Sequence, residues 1–197
     1  MPKYKTVVID PPWQPTLGAT WHSRLSDKGA PQRFYDTLSV QEIIRLKPPL
    51  AEQAHLYIWA VTQHVDWAYQ VARAWNAEPI TLLTWKKPGL GVGRFRCNTE
   101  HVLVCRIGDR QGNPFGKGGR HAQATEGTLF CWPRGKHSEK PDDFFRLVET
   151  LSPAPRLEMY ARKPRSGWDV WGKESGVNFP TMAQLGNDEN DWGDVRQ

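Results

Sequence analysis

No stretch constrains this chain more than Val7-Val8-Ile9-Asp10-Pro11-Pro12-Trp13. Three β-branched residues in succession read as a strand buried on both faces. Pro11 and Pro12 end it, because each lacks an N–H and holds φ near about −65°. A residue before proline is pushed to extended geometry, so Asp10 is predicted to emerge straight from the strand end. In open α/β sheets, ligands bind beyond the carboxyl ends of the strands. A carboxylate, proline carbonyls and an indole are thus gathered where a ligand would sit.

That combination suits a planar nucleobase amine. The exocyclic nitrogen of adenine donates two hydrogens, and its lone pair is delocalised into the ring. Asp10 and the Pro11 carbonyl could each accept one hydrogen, localising the lone pair for attack. Trp13 could stack on the base, a contact of about 1–3 kcal/mol in single-strand binders. The same residues also fit a plain strand-to-loop turn in which Asp10 caps an amide, and they do not choose between the two alone.

Further along, Leu56–Val61, Pro79–Trp85, His101–Ile107 and Leu129–Trp132 read as strands. Val65, Ala68, Ala72 and Trp75 recur at helical spacing, and Ser39-Val40-Gln41-Glu42 is a capping-box pattern ahead of a short helix. Strands alternating with helices predict an α/β fold, a doubly wound, mostly parallel sheet. Residues 14–36, 86–96 and 108–126 are loops rich in Gly and basic residues. Arg33 in the first and Lys87 and Arg94 in the second are candidate substrate contacts. The alternatives are a surface excursion and an ordinary hairpin connection.

A second constellation lies in the last third. Residues 137–143 are predicted to open a helix, with Pro141 in its first turn and Phe144, Leu147, Val148 and Leu151 as its buried stripe. Asp142 and Asp143 suit the positive end of that helix, and Lys140 does not. Either an anion is held nearby or the lysine is solvated. Arg156–Arg162 reads as a strand of alternating polarity, and Trp168–Gly172 as a short strand after it.

Asp10-Pro11-Pro12-Trp13 resembles the catalytic tetrad of the DPPW-type adenine-N6 methyltransferases, the MT-A seventy family. The Lys140-Pro141 helix start, the Glu158-x-x-x-Arg162 strand and the segment Trp168–Gly172 are similar to the family's later motifs, in the family's order. The catalytic strand comes first and the cofactor strand last. The resemblance covers residues 5–174 and implies a Rossmann-like fold with permuted motif order and S-adenosyl-L-methionine as cofactor. It implies Asp10, Pro11, Pro12 and Trp13 as catalytic residues, and Lys140, Glu158, Arg162, Gly172, Lys173 and Glu174 at the cofactor, with Glu158 supporting Arg162 or the site geometry. Tyr35 matches the family's tyrosine-containing segment and joins the substrate set. The chain departs from eukaryotic members at Lys163-Pro164-Arg165 and Gly172-Lys173-Glu174, where they carry His and Asn, and Asn-Gln after the glycine.

Composition narrows the classes. Among 197 residues the net charge is +5, with ten tryptophans. Aromatics interleaved with Lys and Arg suit nucleic acid, and the compact single-domain form resembles the family's phage and bacterial members, which implies DNA first and RNA second. The mean hydropathy of −0.63 and the absence of a long apolar run speak against a membrane protein. Pro2-Lys3-Tyr4-Lys5 leads straight into the first strand without a signal pattern, and three cysteines without a C-x-x-C pair suggest reduced thiols in a cytoplasm. Cys97, His101 and Cys105 lack metal-knuckle spacing, so no metal is expected. A methyltransferase domain over 1–174 and a polar, fraying tail over 175–197 are expected. The expected activity is methyl transfer to adenine N6. Cytosine N4 methylation and a non-catalytic nucleic-acid-binding subunit are the alternatives, and a homodimer or partner subunit is left open.

Overall fold

The computed structural model describes residues 2–14, 37–90, 96–109, 127–135, 139–172, 175–178 and 180. In chain order these form β1 (Tyr4–Ile9), α1 (Val40–Arg45), β2 (Leu50–Val61), a short 3-10 turn (Thr62–His64), α2 (Val65–Ala74), β3 (Glu78–Lys86), β4 (Thr99–Ile107), β5 (Leu129–Phe130), α3 (Asp142–Leu151), β6 (Arg156–Met159) and β7 (Asp169–Trp171). The strands make one sheet of seven in the order β5-β3-β4-β2-β1-β6-β7. β1 lies parallel to both β2 and β6, β6 parallel to β7, and β3 parallel to β5. β4 runs antiparallel to both its neighbours, β2 and β3. The sheet is therefore mixed and mostly parallel, as an α/β Rossmann-like fold requires.

Both faces are covered, which explains the nearly continuous apolar runs. Val7, Ile9, Leu56, Ile58, Leu103, Leu157 and Met159 point to one face, under α1 and α2. Val8, Tyr57, Trp59, Val102, Val104 and Val170 point to the other, under Phe144, Phe145 and Val148 of α3. Each fully buried Val, Leu or Ile side chain removes enough apolar area to stabilise by about 1.5–3 kcal/mol. Trp75 is buried at the end of α2, and its indole N–H donates to the Ile44 carbonyl (2.8 Å), tying the two helices of that face together. Helix α1 carries the capping box: the Glu42 amide donates to Ser39 Oγ, and the Ser39 amide donates to the Glu42 carboxylate (2.8 Å).

Boundaries differ from the sequence expectation in several places, three of them with a clear cause. β2 begins at Leu50, six residues before the apolar run, because Leu50 pairs with Tyr4 while Glu52 and Gln53 stay exposed. β6 stops at Met159, because Tyr160 turns into the left-handed region (φ 63°), and Arg162 lies in the loop beyond. α3 starts at Asp142: Pro141 is extended (ψ 136°) at the N-cap position, so Lys140 stands ahead of the helix rather than inside its first turn. No helix among the described residues is long and apolar enough to cross a membrane.

Candidate active site

β1 ends at Ile9 and delivers Asp10 to the carboxyl edge of the parallel strands, where the Asp10 amide donates weakly to the Met159 carbonyl (3.4 Å). The two prolines then turn the chain tightly. The Trp13 amide donates to the Pro11 carbonyl (2.8 Å), and the Pro12 carbonyl accepts from Leu38 (2.8 Å). A carbonyl oxygen has two lone pairs, so Pro11 keeps one for a ligand. The Trp13 indole N–H donates to the Trp59 carbonyl (3.0 Å), and its ring lies beside His64 and Trp67. The tetrad is thereby locked to the end of β2.

Asp10 does not stand alone. Lys140 Nζ lies 2.8 Å from Asp10 Oδ2 and 3.3 Å from Glu100 Oε2. Lys87 Nζ lies 2.8 Å from Glu100 Oε1. Four charges of alternating sign thus run Asp10–Lys140–Glu100–Lys87 across the sheet edge. Each comes from a different segment: the end of β1, the approach to α3, the start of β4 and the end of β3. Glu100 arrives there because β4 is antiparallel: its second residue sits opposite Val61, the last of β2, and opposite Trp85. Lys140 also lies over the Trp59 ring (5.2 Å to the centroid).

The electrostatics follow from burial and these partners. Burial pushes the Asp10 carboxyl above its ordinary range, with Lys140 opposing that push and Glu100 adding to it. For Glu100, burial alone would raise the carboxyl, but Lys140 and Lys87 together outweigh it and hold it low. Burial would lower Lys140, and the two carboxylates more than compensate, so its ammonium is secured. The anion that Lys140 needs ahead of a helix start is supplied by the protein itself.

A crevice beside this edge is lined by Asp10, Lys140, Glu158, Tyr160, Arg162 and Arg165, with Glu139, Phe145 and Lys163 completing it. Glu158 is on β6; burial pushes its carboxyl up to about 7, against the pull of Arg165. The Arg165 guanidinium packs on the Phe145 ring (3.5 Å to the centroid) and pairs with Asp142 (2.9 Å) and Glu158 (3.4 Å). Glu158 pairs with Arg165, and Arg162 is near enough to pull Asp10 downward. Gly172 is buried where β7 meets residue 161; a Cβ there would lie 2.3 Å from the Ala161 carbonyl oxygen, so only glycine fits.

Of the residues singled out from sequence, Asp10, Lys140, Glu158 and Arg162 line one crevice, and Pro11, Pro12 and Trp13 form its adjoining loop. Lys87 is paired with Glu100, its side chain 24% exposed. Arg33, Tyr35, Arg94, Lys173 and Glu174 lie outside the described residues, as does nearly all of 175–197. Glu100 and Arg165 were missed as site residues. Glu100 carried a signal, a carboxylate at the mouth of an apolar strand, but only the strand's direction makes it meaningful. Among the described residues no group of His, Cys, Asp and Glu could hold a metal ion. Cys105 is buried in the core, and the ring nitrogens of His101 meet Thr62 and Thr84 (both 3.1 Å).

Comparison with known proteins agrees with this geometry. The chain is 28% identical over 208 aligned residues to the Type II methyltransferase M.MunI of Mycoplasma sp, covering 95% of this chain and 85% of that one. It is 26% identical to the human N(6)-adenosine-methyltransferase catalytic subunit METTL3, over 81% of this chain but 26% of the relative. With the N6-methyladenosine RNA methyltransferase MTA1 of Cryphonectria parasitica it shares 27% identity, over 88% of this chain and 52% of the relative. The MT-A70 family model matches residues 4–174. A match over that span, with the tetrad at the sheet's carboxyl edge, means that the chain belongs to the MT-A70 family.

Proposed function

We propose that this protein is an S-adenosylmethionine-dependent methyltransferase acting on the exocyclic N6 amine of adenine in nucleic acid, with DNA as the substrate. The observation that carries the reading is the partly buried Asp10 at the end of β1, held by Lys140 and followed by the locked Pro-Pro-Trp turn. Family membership supports the chemistry and the cofactor. The likeness that extends over most of both chains is to a bacterial Type II methyltransferase, and it supports DNA. RNA is the second reading, on the likeness to METTL3 and MTA1.

The crevice has the donor chemistry that the cofactor calls for. It brings carboxylates and cations together within one lining, as an amino-acid tail, a ribose and a sulfonium require. Glu158 and Arg162 would hold it, with Lys140 near its carboxylate or the target base and Gly172 beside its adenine end. When bound, S-adenosylmethionine supplies a methyl group made electrophilic by the sulfonium. The protein's part is alignment. Asp10 and the free lone pair of the Pro11 carbonyl accept the two amine hydrogens and draw the nitrogen lone pair out of the ring. Trp13 would pack against the base, and as the nitrogen took the methyl carbon the carbon–sulfur bond would break, S-adenosylhomocysteine would leave and one amine proton would pass to solvent. Held geometry and fixed charges of this kind supply much of an enzyme's rate gain. A base inside a duplex is out of reach, so the target is flipped out or single-stranded.

The test is methyl transfer from labelled cofactor to matched DNA and RNA, each single- and double-stranded, with Asp10→Ala as control. Label on DNA adenine, lost in the variant, is expected. Label on RNA alone would move the substrate to the second reading. Transfer to none of them would overturn the reading.

A further inference from the structure

We infer that Lys87 is a positioning residue for Asp10, acting through Glu100 and Lys140, and is not a contact to nucleic acid. This rests on the methyltransferase reading and names a part of its site that the four-residue tetrad does not contain. Glu100 uses separate oxygens for its two partners, Oε1 for Lys87 (2.8 Å) and Oε2 for Lys140 (3.3 Å). Lys140 is shared in turn, and lies closer to Asp10 (2.8 Å) than to Glu100. The side chains of Lys140 and Glu100 are 12% and 16% exposed, so water screens them poorly. How Lys140 divides itself between the two carboxylates therefore depends on how much positive charge Glu100 receives from elsewhere. Lys87 is that source, and its backbone amide is fixed by the Asn98 carbonyl (2.7 Å), which ties the end of β3 to the approach to β4.

Without the Lys87 charge, Glu100 draws Lys140 away from Asp10. Asp10, partly buried and stripped of its counter-ion, then takes up a proton at higher pH, and a protonated carboxyl is a poorer acceptor for the one amine hydrogen it would take. The loss of a nearby positive charge pushes in the same direction. The other groups that act on this chain are Arg162 and Glu158 beside Asp10, and His101 beside Glu100. They are present in wild type and variant alike, so the difference between the two isolates Lys87.

The experiment compares wild type, Lys87→Gln and Lys87→Arg in three readouts. The first is the pH profile of kcat, the second KM for the nucleic-acid substrate, and the third a carbon-13 NMR titration of the Asp10 carboxyl, assigned with Asp10→Asn. Calorimetric binding of the cofactor checks that each variant keeps its site. In Lys87→Gln the acid limb of kcat and the Asp10 titration should both move up by about one pH unit, a tenfold change in proton affinity. KM should stay unchanged, and Lys87→Arg should restore the wild-type profile. A raised KM with a salt dependence weakened by about one phosphate contact, and no movement of the Asp10 titration, would overturn the inference in favour of a backbone contact. An unchanged variant in all three readouts would overturn it too. The titration needs no turnover, so an inactive wild type with a shifted Asp10 would count against the methyltransferase reading and not against the coupling.

Discussion

Strand β2 touches two polar clusters, one at its middle and one at its carboxyl end, and they are built on opposite principles. At its middle, His55 and Tyr57 meet Ser152, where α3 ends. Ser152 Oγ lies 2.7 Å from His55 Nδ1 and 2.7 Å from the Tyr57 hydroxyl, and all three residues are buried. Thr6 extends the pattern by donating to the Pro153 carbonyl (2.7 Å). The groups are polar, paired and shielded, and burial pushes the Tyr57 hydroxyl further from ionising. Near the carboxyl end, Asp10, Lys140, Glu100 and Lys87 are charged, mutually dependent and partly open to the crevice. A satisfied polar network rigidifies a fold. A partly buried chain of charges gains little net stability, because desolvation offsets much of the attraction. What it does provide is a carboxylate held in one place and poised to respond.

Tests that pull the two clusters apart should therefore give opposite readouts. The largest effect is expected from Asp10→Ala, which should lower kcat by at least about 10²–10³, as deleting one preorganised polar partner does. Its melting temperature should hardly move, because Glu100 still pairs with Lys140; steady-state kinetics and a thermal melt on one preparation check both. The mirror image is Ser152→Ala. It leaves His55 and Tyr57 without their shared oxygen and should cost about 1–3 kcal/mol in denaturant unfolding, with methyl transfer per folded molecule unchanged. Equal losses of activity and stability in both variants would dissolve the contrast.

A comparable cost, about 1–3 kcal/mol of overpacking, is expected for Gly172→Ala, because the new Cβ meets backbone that cannot swing aside. Unfolding midpoints would measure it, and a neutral result would mean that the junction of β7 with residue 161 gives more readily than it is packed. The smallest effect is one of pH. The Glu158 carboxyl sits at about 7 when folded against 4.5 ordinarily, so the unfolded chain ionises it first. Its contribution to stability is then complete below about pH 4.5 and is lost as the pH rises through about 7. Glu158→Gln should remove that part of the slope from a stability–pH curve, and an unaltered slope would assign it to another group.

The order of elements was legible from local pattern. Val7-Val8-Ile9 before two prolines could only be a strand that stops, and Ser39 with Glu42 could only be read as a helix start. The boundaries that moved did so for reasons beyond local pattern. Leu50 is strand because Tyr4 pairs with it, and β6 ends because Tyr160 turns left-handed.

The candidate site divides in the same way. The positions of Asp10, Pro11, Pro12 and Trp13 follow from chain chemistry alone, because prolines end strands and parallel strands end at ligand edges. The partnership of Asp10 does not. An apolar run marks His101–Ile107 as a strand but carries no arrow along the sheet. Were β4 parallel like most of its neighbours, Glu100 would lie at the far edge, some seven residues of strand from Asp10, and Lys140 would face one carboxylate. Strand direction depends on which elements pack beside which, through contacts between residues distant in the chain. Local chemistry thus names the reactive carboxylate, and only the assembled sheet chooses the charges that hold it.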